Sequence, residues 1–148
     1  MSVLRAQLAS GRVHHAQIFH GPSGVGKFAT AAAFAARLLC HDPVTDLRGD
    51  TSACGVCASC KLLKNIDALA DRDVGDADDP TAALSSPHPD LHLVTKELAL
   101  FDGDAGVRSR KLTTIPISVL RSHLIGPAYL APQMGHGKVF IIDEAELL

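Results

Sequence analysis

The segment Gly21-Pro22-Ser23-Gly24-Val25-Gly26-Lys27 restricts the possible folds more than any other part of the chain. Its glycines permit backbone conformations that are closed to other residues, and a lysine follows them directly. Before it lies Ala16-Gln17-Ile18-Phe19-His20, a short apolar run; after it, residues 27 to 40 are rich in alanine and leucine, both strong helix formers. The order this predicts is strand, glycine loop, buried helix. In that setting the loop's N–H groups converge on phosphate oxygens, the helix directs the positive end of its dipole at the same point, and the lysine adds a point charge. Gly21, Gly24, Gly26 and Lys27 are therefore the candidate residues for binding a nucleotide such as ATP. The competing reading is a glycine-rich turn with an exposed lysine.

The residue after the lysine of such a loop normally offers a hydroxyl to Mg²⁺, but here it is Phe28. Thr30 does not replace it, because two positions along a helix turn a side chain by about 200°. Mg²⁺ binding is expected to be weak and hydrolysis weak or absent.

Lys138-Val139-Phe140-Ile141-Ile142-Asp143-Glu144 is an apolar run ending in two acids, the pattern of a strand buried on both faces of a parallel sheet. In phosphate-loop ATPases an acid at such a strand end holds the metal's water shell, and a neighbouring glutamate polarises the attacking water. Asp143 and Glu144 are the catalytic candidates, with a role only if the chain hydrolyses nucleotide. The alternative is a strand end running into a helix N-terminus, where the dipole favours acids.

The four cysteines all fall between residues 40 and 60, as Cys40 and the cluster Cys54-Gly55-Val56-Cys57-Ala58-Ser59-Cys60. Two overlapping C-x-x-C pairs let sulfurs converge within tight turns, and four thiolates suit a closed, tetrahedral, structural zinc site. Redox chemistry of one pair, inert buried thiols, and His41 as a substitute ligand are the alternatives. His14, His15 and His20 show no ligand spacing and are assigned no chemistry.

Elsewhere, residues 1 to 12 suit a short amphipathic helix closed by Gly11, and Leu91-His92-Leu93-Val94 suits a strand. Phe101 to Gly106 is turn-like, and a helix from Ser118 to Leu130 follows Pro116. Residues 62 to 86 read as an acidic, solvated loop, with six aspartates between Asp67 and Asp79. At 148 residues one domain is expected. A net charge of −2 excludes a surface that holds nucleic acid by bulk electrostatics, so DNA contact must be local or made through partners. No apolar stretch approaches the ~20 residues that span a bilayer, so no membrane is involved. The N-terminus carries no signal peptide, so a cytoplasmic location is expected.

In order and position, His15 to Gly21, the phosphate loop, the four cysteines and the Val139 to Glu144 strand resemble the bacterial DNA polymerase III clamp-loader ATPases. The resemblance implies an α/β fold: a P-loop NTPase of the AAA+ type, its parallel sheet flanked by helices and carrying an inserted zinc module at residues 40 to 60. Between the zinc-bearing types, three features resemble delta-prime more than gamma/tau: Phe28, His88-Pro89-Asp90 before a strand, and Ile115 to Arg121 before a helix. The implied partners are the other clamp-loader subunits in a hetero-oligomeric ring, and through them the sliding clamp and primed DNA. An active ATPase of gamma/tau type is the alternative, and a stand-alone zinc-binding interaction module is a second. The resemblance also implies a sensor strand between the phosphate-loop strand and the acidic strand, which these 148 residues lack. The chain is accordingly expected to be part of a longer protein, incomplete at the C-terminus, with an unfilled slot in its sheet.

Overall fold

The structure is a computed structural model that describes residues 2–66, 86–109 and 111–148. Most of the expected acidic loop, residues 67–85, lies outside them.

Helix α1 (Ser2–Ser10) ends where Gly11 turns left-handed, with φ 67°, and donates its N–H to the Leu8 carbonyl. This is the glycine cap the sequence predicts. Helix α2 (Lys27–Leu39) begins directly after Gly26 and buries Ala32, Ala35 and Leu39. An exposed two-stranded hairpin follows, β1 (Val44–Thr45) with β2 (Thr51–Ser52), and then helix α3 (Ala58–Leu62). In the hairpin turn Asp46 Oδ1 accepts from the N–H groups of Arg48 and Asp50, each at 2.9 Å.

Strand β3 (Leu91–Val94) pairs in parallel with β4 (Val139–Ile142), Leu91 opposite Val139 and Val94 opposite Ile142. Because side chains alternate along a strand, the pair has two distinct faces. Leu91, Leu93, Val139 and Ile141 pack with Ala32, Ala35 and Leu39 of α2 and with Leu63 and Ile66. On the other face Val94 and Ile142 join Leu98, Ala99, Ile115 and Val119. The result is a small three-layer α/β/α arrangement. A 3-10 segment (Lys96–Phe101) and helix α4 (Ala105–Arg108), capped by Asp104, lead into the second face.

The helix predicted after Pro116 forms over 117–128, but not regularly. Helix α5 (Ile117–Leu120) passes into a π-helical turn (Arg121–Ile125) and then helix α6 (Gly126–Ala128). Pro127 explains the widening, because it has no N–H to give the preceding turn and its ring crowds the carbonyl there. Lys138 Nζ caps the Pro127 carbonyl at 2.8 Å.

Two expectations need correction. Residues 16–20 do not form a strand: Ile18 is 91% exposed, and the run has no ladder partner among the described residues. It is held instead from α1, where Gln7 Oε1 accepts from Gln17 Nε2 at 2.6 Å and from the His14 N–H at 3.4 Å. An extended run keeps strand geometry only when a neighbour satisfies its backbone, and β4 pairs with β3 alone. For the same reason β4 is not buried on both faces; only Ile141 is buried and the other three residues are half-buried.

Candidate nucleotide loop and metal centre

The glycine loop takes the backbone path its sequence requires. Gly24 and Gly26 have φ of 77° and 84°, in the left-handed region where a side chain is strained, so the loop can fold tightly against the start of α2. The loop itself is exposed. Lys27 Nζ donates to the carbonyls of Gly21 and Pro22 at 3.0 and 3.1 Å, so the ammonium folds back over the loop.

The next two residues are committed elsewhere. Phe28 is half-buried and packs on the Ala32, Leu39, Leu91 and Ile141 cluster. Thr30 Oγ1 donates back to the Gly26 carbonyl at 2.8 Å, one turn earlier on its own helix. Phe28 has no hydroxyl to offer, and that of Thr30 is already engaged by the Gly26 carbonyl.

At the end of β4, Asp143 Oδ1 accepts from the Glu144 N–H at 3.0 Å. Glu144 is the one positive-φ residue other than glycine among the described residues, with φ 51° and ψ 44°. Its carboxylate is paired with Lys96 Nζ, which lies 2.9 Å from Oε1 and 2.8 Å from Oε2. Among the described residues, no hydrogen bond or ion pair joins Asp143 or Glu144 to Lys27. The Lys96 pairing left no trace in sequence, because the partners are separated by 48 positions.

The four cysteines do converge. Cys40 ends α2, Cys54 follows the hairpin, Cys57 caps α3 and Cys60 lies within it; all are free thiols whose sulfurs lie within 4.8 Å of one another. Cys40 to Cys57 is 4.0 Å and Cys54 to Cys60 is 3.9 Å. A tetrahedral zinc with Zn–S bonds of about 2.3 Å has sulfurs about 3.8 Å apart, so the donor set fits that ion. His41 is exposed beside the cluster, and the four-atom grouping does not include it.

Backbone N–H groups point at three of the sulfurs: Cys54 N at Cys40 Sγ, Cys57 N at Cys54 Sγ and Cys60 N at Cys57 Sγ, at 3.3 to 3.4 Å. Such donors favour thiolate. The Cys57 thiol is drawn down to about 6, chiefly by the Cys60 N–H, while burial, followed by its neighbours, pushes Cys60 up to about 12. A metal binding here at neutral pH must displace the Cys60 proton. With four sulfurs filling its coordination, a zinc ion would be structural and would activate no water.

A further buried polar group was visible in sequence only as the segment His88-Pro89-Asp90. Ser59, His88 and Asp90 are all buried, and Ser59 Oγ lies 2.8 Å from His88 Nε2. The trio has the residue types of a nucleophilic triad but not its wiring. His88 Nδ1 accepts the Asp90 backbone N–H at 3.0 Å, so it carries no proton, and Nε2–H must donate to Ser59. A ring that donates to the serine cannot take its proton. The Asp90 carboxylate turns away, accepting from the N–H groups of Gln133, Met134 and Gly135 at 2.6, 2.7 and 2.9 Å.

A helix entered through a glycine loop and packed on parallel strands, with two acids ending one strand, is the layout of an AAA+ type α/β domain. The family described as DNA polymerase III, delta subunit, matches residues 1–148, and the chain belongs to that family of clamp-loader subunits. It is 33% identical over 148 residues to the DNA polymerase III subunit tau of Escherichia coli, covering 100% of this chain and 17% of that protein. It is 43% identical over 61 residues to the subunit delta' of Pseudomonas aeruginosa, covering 40% of this chain and 17% of that one. Protein STICHEL-like 2 of Arabidopsis thaliana is 32% identical over 145 residues, 98% of this chain and 12% of its own length. The chain thus spans less than a fifth of each of these relatives. No solved structure matches it. Among the described residues, no helix is long and apolar enough to cross a membrane.

Proposed function

We propose that the chain is the nucleotide-binding-fold part of a DNA polymerase III clamp-loader subunit of delta-prime type. It forms part of a hetero-oligomeric ring in the cytoplasm and helps place the sliding clamp on primed DNA. Its own contribution is a scaffold: Gly21, Gly24, Gly26 and Lys27 keep the form of a nucleotide loop, and Cys40, Cys54, Cys57 and Cys60 hold a structural zinc in an insertion at residues 40 to 60. The observation that carries this reading is Phe28. Where a metal-binding hydroxyl would stand there is an aromatic ring packed into the core, and the acid that would polarise water is paired with Lys96. Asp143 and Glu144 then have no catalytic work.

A second reading, an active ATPase subunit of gamma/tau type, has in its favour the likeness to tau subunits over the whole chain. In that case Asp143 would hold the metal's water shell and Glu144 would have to leave Lys96.

Turnover of Mg²⁺-ATP separates the two. The purified chain, alone and with other clamp-loader subunits that lack hydrolysis, is expected to show no activity above background. A motor's rate, on the order of 1 s⁻¹ or faster, that disappears in Lys27→Ala would establish the gamma/tau reading instead.

A further inference from the structure

Helix α3 and its N-cap carry two of the four sulfurs, Cys57 at the cap and Cys60 within the helix, whose five residues are too few to be stable by themselves. Its rotation about its own axis decides where Cys57 and Cys60 place their sulfurs. A sulfur about 5 Å from a helix axis moves by about 1.7 Å when the helix turns by about 20°, well beyond the ~0.2 Å tolerance of a metal–ligand bond. Something outside the helix must fix that rotation.

Ser59 lies between those cysteines and is fully buried, and among the described residues the one hydrogen bond its side chain makes is the 2.8 Å contact to His88 Nε2. His88 is in turn fixed to the sheet. Its Nδ1 accepts from the Asp90 N–H, its carbonyl accepts from the Leu91 N–H at 3.1 Å, and its own N–H donates to Ser86 Oγ at 3.1 Å. Leu91 begins β3, and the Asp90 carboxylate fastens the same turn to residues 133–135 ahead of β4. Burial also pushes the pKa of the His88 ring down, the direction its donor and acceptor pattern requires.

We propose that His88 is a positioning residue for the four-cysteine metal centre, transmitting the fixed geometry of the β3–β4 sheet to α3 through Ser59. It touches no sulfur; it sets the rotation of the helix that carries them. This inference rests on the zinc reading above.

Zinc affinity of the full chain, measured by competition with a chromophoric chelator, tests it. Ser59→Ala removes the bond, and His88→Asn keeps an acceptor for the Asp90 N–H but cannot reach Ser59; each is expected to weaken zinc binding about tenfold. His88→Gln places an amide donor where Nε2 stood and is expected to restore wild-type affinity. Leu98→Ala, in the core cluster on the opposite face of the sheet, destabilises the fold without touching this relay and should leave zinc affinity unchanged. Equal affinities for wild type, Ser59→Ala and His88→Asn would overturn the proposal while leaving the metal site intact. A loss in Leu98→Ala as large as in Ser59→Ala would also overturn it, by showing a generic effect of stability. A wild-type chain with four titratable thiols and no zinc would overturn the metal reading itself, and the positioning role with it.

Discussion

Stripping zinc from the chain with a chelator is expected to unravel residues 40 to 60 while α2, β3 and β4 lose much less. The chain should be isolated with about one zinc per molecule. The reason lies in what this segment buries. Residues 41 to 49 are all exposed, β1 and β2 have two residues each, and Leu47 and Val56 project into solvent. Beyond the cysteines, little apolar surface leaves water between Cys40 and Cys60, so the hydrophobic effect does not hold the excursion together. Structural zinc sites in small domains have apparent binding free energies of about 10–16 kcal/mol, enough to order a segment of this size. Hydrogen exchange before and after chelation provides the measurement. Fast exchange confined to the amides of residues 40 to 60 after zinc removal is the expected pattern. Unchanged protection there would show that the thiols organise themselves. Cys54→Ser should reproduce the effect of the chelator.

Replacing Asp90 by alanine is expected to destabilise the fold by about 2–4 kcal/mol. Three backbone N–H groups, those of Gln133, Met134 and Gly135, would lose their acceptor. The turn they define leads into β4, so the loss reaches the sheet. The same carboxylate gives a pH dependence of definite sign. Burial alone would raise its pKa, but the three N–H donors outweigh that and hold it below the usual carboxylate value. A folded-state pKa below the unfolded one means stability that is fully present above the unfolded value, about 3.9, and lost as the pH falls through the folded value. Urea midpoints at pH 7 and near pH 3 should therefore differ more in the wild type than in Asp90→Asn. Parallel pH profiles for the two proteins would remove Asp90 as the source.

What could be read from sequence was whatever depends on near neighbours in the chain. The Gly11 cap, the start of α2 after Gly26, the limits of β3, the place of β4, and the convergence of Cys54, Cys57 and Cys60 all follow from spacing within one or two turns. Residues 16 to 20 had the composition of a strand, but a strand also needs a partner, and no local pattern shows whether one is present. The Lys96–Glu144 pair and the capture of residues 133–135 by Asp90 join positions more than forty residues apart, so composition could not reveal them. His88 drew notice only as part of a resemblance. The wiring that gives it a role, a ring nitrogen accepting from the backbone two residues on, is a fact of geometry.

The parallel pairing of β3 with β4 also bears on the order in which the molecule assembles. Leu91 and Val139 are forty-eight residues apart, so the whole intervening chain must close before the first ladder bond forms. The four cysteines lie within the stretch from Cys40 to Cys60, and their convergence closes shorter loops at a smaller entropic cost. In the presence of zinc the cysteine module should therefore acquire protection first and the sheet later, joined to it at the end by the Ser59–His88 contact. Pulsed hydrogen exchange during refolding that found the β3 and β4 amides protected ahead of α3 would reverse this order. The sheet is then the last part to form, and the residues at the end of β4, including Asp143 and Glu144, reach their places only when the rest is complete.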